Sequence, residues 1–180
     1  MLFVALAAAL FGAAPDTPPD PYEPPLPRPM MVENVRDPIT DDLRVQATLR
    51  DQDRRLTLAC DPHDFEFIRV TFSSNRWLIR GNLITRERPL IYRFDDLRPV
   101  RLIWIVKDRE GRLAGRRRVG AFLREFINAD ELVIRTRDVE STRILLRFRI
   151  VGAREAVDQL LRQCGENELR DTIFNAPPRD

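Results

Sequence analysis

The chain is short of lysine, cysteine, histidine and glycine, and each shortage narrows what it can do. Its 180 residues hold one histidine, two cysteines and seven glycines. The glycines are scattered, so no glycine-rich loop is available to cradle a phosphate. The cysteines, Cys60 and Cys164, lie too far apart for a C-x-x-C redox pair or a zinc ribbon. A lone histidine makes a transition-metal site a poor fit, and no metal or other cofactor is expected. Only Lys107 among the basic residues is lysine. GC-rich coding produces such an arginine bias, so arginine counts alone carry no functional weight. The formal charge is +2 and the pI about 8.8. That lacks the concentrated excess of a dedicated nucleic-acid binder, and no nucleic-acid partner is expected. Hydrophobic residues make up 43% and charged residues 32%. This balance supports a packed core rather than wholesale disorder.

Met1 to Ala14 is uncharged and apolar, ending in Gly12-Ala13-Ala14. At about a dozen residues it is too short to span a bilayer well and reads as a signal-peptide core over residues 1–14. No lysine or arginine precedes it, and Pro15 follows the small residues. An uncleaved anchor, or a fuller signal upstream of a misplaced start, is therefore the alternative. Residues 15–30 form a proline-rich linker, with eight of the fourteen prolines between Pro15 and Pro29. Such a stretch favours extended polyproline geometry, as a stiff spacer or a ligand for an aromatic groove. After signal removal no integral membrane span is expected.

From Met31 to Gly165 the pattern is that of one β-rich domain. Leu43, Val45, Ala47 and Leu49 alternate toward the same core as Leu56, Leu58 and Cys60, which predicts a hairpin turning at Asp51-Gln-Asp. Phe65 to Phe72 reads as a third strand and Trp77-Leu-Ile as a short fourth. Pro89 to Phe94 precedes the Asp95-Asp96 turn, and Val100 to Val106 is apolar enough to be central. Asp108 to Gly111 reads as a tight turn with Gly111 at positive φ. Trp77, Tyr92 and Trp104 read as core. Val119, Phe122, Leu123, Phe126 and Ile127 recur at helical spacing, predicting a helix over about 119–128. Two strands follow, Glu131 to Thr136 and Thr142 to Ile150. Ala156, Val157, Leu160, Leu161 and Cys164 then define a second helix over about 153–164, stopped by Gly165. The expected fold is mainly β (α+β): an antiparallel sandwich or strongly bent sheet carrying two amphipathic helices. Residues 166–180 read as a flexible C-terminal tail.

In an exported protein, two cysteines on apolar faces of separate elements pair as a disulfide, here Cys60 with Cys164. Inside the cell they would stay buried thiols. The Asp37-Pro-Ile-Thr-Asp-Asp turn, the Leu56-Thr-Leu-Ala-Cys60 strand, the Phe122 to Ile134 block and the helix ending in Cys164 together resemble one family. It is that of the periplasmic accessory proteins associated with type VI secretion in Gram-negative bacteria. The resemblance spans about Val32 to Cys164, without the family's tryptophan near the first strand and with a poor match over Thr71 to Arg98. It implies an exported envelope protein, periplasmic or secreted, without known enzymatic activity.

Other candidate chemistry is thin. His63, between Asp61 and Asp64, has the neighbours of a catalytic histidine but sits in a D-P-H-D turn. Neighbouring aspartates on a strand point to opposite faces, so Asp41-Asp42 and Asp95-Asp96 are not dyads by themselves. Asp37, Thr40 and Asp41 lack the spacing of a calcium loop. Arg112, Arg116, Arg117 and Arg118 form the one dense basic cluster, either an anionic-partner patch or a solvated edge. Three functions remain. The first is a non-enzymatic envelope protein binding a protein or the cell wall, which the residues and the resemblance favour. The others are an envelope glycan hydrolase using carboxylates from separate strands, and a lipid- or anion-binding module using the arginine cluster.

Overall fold

The computed structural model describes residues 28–36, 38–39, 41–51, 54–61, 67–79 and 86–175. Among them are β1 (Met31–Arg36), β2 (Leu43–Asp51), β3 (Arg54–Cys60), β4 (Ile68–Ser73), β5 (Arg86–Phe94), β6 (Val100–Lys107), β7 (Glu110–Ala114), α1 (Arg116–Phe126), β8 (Glu131–Arg137), β9 (Arg143–Arg149), α2 (Ala153–Gln163) and α3 (Asn167–Phe174). The fold is mainly β, as expected. All nine of these strands join one antiparallel sheet in the order β1-β2-β3-β4-β7-β6-β5-β8-β9. Of the two expected arrangements the bent sheet is found. It curls until β9 reaches the first hairpin: the Arg149 N–H donates to Asp51 Oδ2 at 3.0 Å, and Arg54 Nη1 to the Arg147 carbonyl at 3.4 Å.

Alternation fixes which face is inside. Val45, Ala47 and Leu49 lie opposite Cys60, Leu58 and Leu56, and all six are buried. A slip of one residue would turn this set to solvent, so burial itself specifies the register. Leu43, expected to share that face, is half exposed near the open β1 edge. The concave face wraps α1. Phe122 is fully buried, with its ring 5.3 Å from Tyr92, 5.0 Å from Phe94, 6.2 Å from Trp104 and 5.7 Å from Phe126 between centroids. Burying each side chain of this size is worth about 1.5–3 kcal/mol.

Cys60 ends β3 and Cys164 caps α2, and they meet at disulfide distance with their Cα atoms 6.3 Å apart. Gly165, at φ 74°, ends α2, as the Glu166 N–H returns to the Leu161 carbonyl at 2.9 Å. The chain does not then trail off. The flexible tail expected from residue 166 is replaced, through Phe174, by α3, which buries Leu169 and Ile173. A Cβ on Gly120 of α1 would stand 2.9 Å from Leu169 Cδ1, so the missing side chain at 120 makes room for α3. Asp158 of α2 clamps this layer, pairing with Arg170 of α3 and with Arg162 one turn on.

Two further expectations change. Residues 77–79 form no strand, and Trp77 is half exposed with the Arg109 guanidinium 4.7 Å above its ring. The positive φ in the β6–β7 turn belongs to Asp108, at 51°. Gly111 is instead inside β7, where a Cβ would lie 2.3 Å from the Phe72 ring.

Three measurements check these constraints. The Cys60–Cys164 link closes a separation of 104 residues. Reduction, or the double change Cys60→Ala with Cys164→Ala, should lower unfolding free energy by about 4–5 kcal/mol on chain-entropy grounds. An unchanged urea midpoint would contradict this. Gly111→Ala should cost about 1–3 kcal/mol through overpacking against Phe72, visible as a lower Tm. For Asp158, burial alone would raise the carboxyl pKa, but hydrogen bonds and charge from Arg170 and Arg162 outweigh it and lower it. A depressed folded-state pKa adds stability above the unfolded-state value and loses it as pH falls through the folded-state one. Asp158→Asn should therefore weaken the protein at neutral pH and flatten the decline below about pH 4. Parallel pH curves for the two proteins would refute the clamp.

Candidate functional site

The basic cluster read from sequence is divided by the fold. Arg112 sits on β7 between Thr71 and Ile105 on the outer sheet face. Arg116, Arg117 and Arg118 instead open α1 and line a depression of about 640 Å³ with Phe67, Ile68, Ala114, Gly115 and Glu166. Arg116 pairs there with Glu166 at 3.0 Å and Glu168 at 3.2 Å. Its charge ties α1 to the start of α3. Arg117 and Arg118 are exposed.

Asp95, Asp41 and Asp61 have structural partners. Asp95 Oδ1 accepts the backbone N–H groups of Asp130 and Glu131 at 3.1 and 2.8 Å, which locks the start of β8 to the β5–β6 turn. Asp41 pairs with Arg36 at 3.3 Å, and buried Asp61 with Arg44 at 2.7 Å. His63 and Asp64, and likewise Asp37 and Thr40, lie outside the described residues. Among the described residues no three His, Cys, Asp or Glu side chains group as metal ligands.

A different arginine array emerges from strand pairing. Outward positions of β6, β5, β8 and β9 align in rows. One row runs Arg101, Ile91, Arg135, Leu145. The next contains Ile103 beside Pro89 on β6 and β5, and Arg137 opposite Arg143 on β8 and β9. A groove of about 560 Å³ crosses these rows, and Arg88, Arg101, Arg135, Arg137 and Arg143 all line it. Two are partly engaged: Arg88 Nη1 donates to the Leu78 carbonyl at 3.2 Å, and Arg137 Nη1 to the Ser141 carbonyl at 2.7 Å. Among the described residues, Arg101, Arg135 and Arg143 have no carboxylate partner.

The acid in the groove wall, Asp138, is 5% exposed and already satisfied. Its Oδ1 accepts the N–H groups of Glu140 at 3.0 Å and Thr142 at 2.8 Å, and its Oδ2 takes Arg76 at 3.2 Å. Burial alone would raise its pKa. The Thr142 N–H, Arg76 and the Glu140 N–H prevail and hold it below the usual carboxylate range. Asp138 thus shapes the β8–β9 hairpin with its charge committed to Arg76. Glu131 is likewise paired, with Arg147 at 3.1 Å.

The sequence carried one trace of this array, the period-two arginines Arg135, Arg137, Arg143, Arg147 and Arg149. Linear order does not reveal that Arg101 of β6 joins them. No protein-family model matches the chain, and neither a curated protein nor a solved structure matches it. The site is therefore read from its own chemistry.

Proposed function

We propose that this chain is an exported protein of the cell envelope, periplasmic or secreted, that works by binding a protein or cell-wall partner and not by catalysis. The observation that carries this reading is the Cys60–Cys164 pair, at bonding distance between the first hairpin and the end of α2. Disulfides that hold distant elements together persist in oxidising compartments. The apolar segment at residues 1–14 and the proline-rich stretch after it support the same reading. Among the described residues no helix is long and apolar enough to cross a membrane. The resemblance to type VI secretion accessory proteins supports a finer role as a secretion-system accessory, which rests on sequence pattern alone.

The test is the intact mass of protein recovered from a bacterial periplasm, with thiols alkylated before or after reduction. Loss of the N-terminal segment, with two alkylations only after reduction, is the expected result. An intact Met1 with both thiols labelled directly would place the protein in a reducing compartment and remove the proposal.

A further inference from the structure

We infer that the outer face of β5, β6, β8 and β9 is a docking surface for an anionic phospholipid membrane, with Arg101, Arg135 and Arg143 as its phosphate contacts. This goes beyond the protein or cell-wall partner proposed above and adds a membrane surface as a separate contact of the same chain.

The first observation is electrostatic. Arg137 and Arg143 stand directly opposite each other across the β8–β9 ladder, and like charges in that position destabilise a sheet. The same conflict occurs where Arg50 faces Arg55 on β2 and β3, but there Glu110 lies 4.0 Å from Arg55. At Arg143 no such counterion exists among the described residues. The acids of this region do not supply one. Asp138 is committed to Arg76 and Glu131 to Arg147. Glu87 belongs to the neighbouring row with Ile105, Glu140 lies in the β8–β9 turn, and neither lines the groove. An external anion would relieve this repulsion.

The second observation is the apolar surface between the charges. Ile103 is 41% exposed and Leu145 48% exposed. Leu145 is the cross-strand neighbour of Arg135, and Ile103 lies beside Pro89 in the row next to Arg101. Guanidiniums interleaved with aliphatic side chains suit the membrane boundary, where phosphates lie in a plane above acyl carbon. Arg101 and Arg135 flank Ile91 of β5 two strands apart, and Arg143 lies on the strand next to Arg135, at about 4.7–4.9 Å per strand step. Lipid phosphates can move laterally to meet that spacing. An acidic protein would need carboxylates built to match it.

The test uses the purified full chain and sedimentation with vesicles of phosphatidylcholine alone or with one-third phosphatidylglycerol. Binding is expected only to the anionic vesicles and should weaken steeply with salt. Each guanidinium at such a surface is worth about fivefold, so Arg101→Gln, Arg135→Gln and Arg143→Gln together should weaken binding about a hundredfold. A charge-matched control, Arg36→Gln, Arg50→Gln and Arg98→Gln, should bind nearly as the parent does. Equal thermal melts would show that both variants fold. Partitioning driven by the apolar residues 1–14 would ignore headgroup charge and appear equally on neutral vesicles. That result would overturn the inference, as would equal losses in the two triple variants. Retention of an acidic peptide with no vesicle binding would reassign the face to a protein partner and overturn it too. Because the protein is purified, a failure of export would leave this result unaffected.

Discussion

The fold depends on one steric requirement: the sheet must wrap around Phe122. That ring meets aromatic partners from β5 and β6 and from its own helix, so α1 occupies the inside of the curve. Trp104 of β6, Phe94 of β5 and Phe126 of α1 all meet this one side chain. Bending carries β9 round to the first hairpin, where Asp51 receives both the backbone and the guanidinium of Arg149. That contact occupies an edge that would otherwise present unpaired backbone groups.

The same curvature sets the character of the outer surface. On the β1–β2–β3–β4–β7 side, outward residues mix signs and hydroxyls, among them Glu33, Thr48, Arg50, Arg55, Thr57, Arg69, Thr71 and Glu110. On the β5–β6–β8–β9 side the outward rows carry mostly arginine and aliphatic residues; Asp138 and Glu131 are engaged by Arg76 and Arg147, and Glu87 lies a row beyond the groove. Near-zero net charge therefore conceals a sheet surface whose two sides differ in how closely acids accompany their arginines.

Much of the fold was legible in the residue pattern. Period-two alternation located the hairpin and the β8–β9 pair, and helical spacing located α1 and α2, because each element buries one clean face. What escaped detection had a physical reason. The eight residues of α3 offer two buried side chains, Leu169 and Ile173, too few to stand out from a polar tail. Gly111 looked like a turn residue because a glycine that yields space to Phe72 is indistinguishable in sequence from one that needs positive φ. Trp77 looked like core because its partner is an arginine from another loop. The basic cluster near 116 was visible because it is contiguous. The groove was not, because its arginines come from β5, β6, β8 and β9 and meet only through register.

The cysteine count has a consequence for biogenesis. With one thiol in β3 and one at the end of α2, intramolecular oxidation has a single outcome and no isomer to unscramble. Yet Cys60 is synthesised 104 residues before Cys164, and spends that interval without its mate. The bond can close only after the sheet, α1 and α2 have all emerged. Oxidation then seals a nearly finished fold, and until that point any other thiol that meets Cys60 competes with its mate.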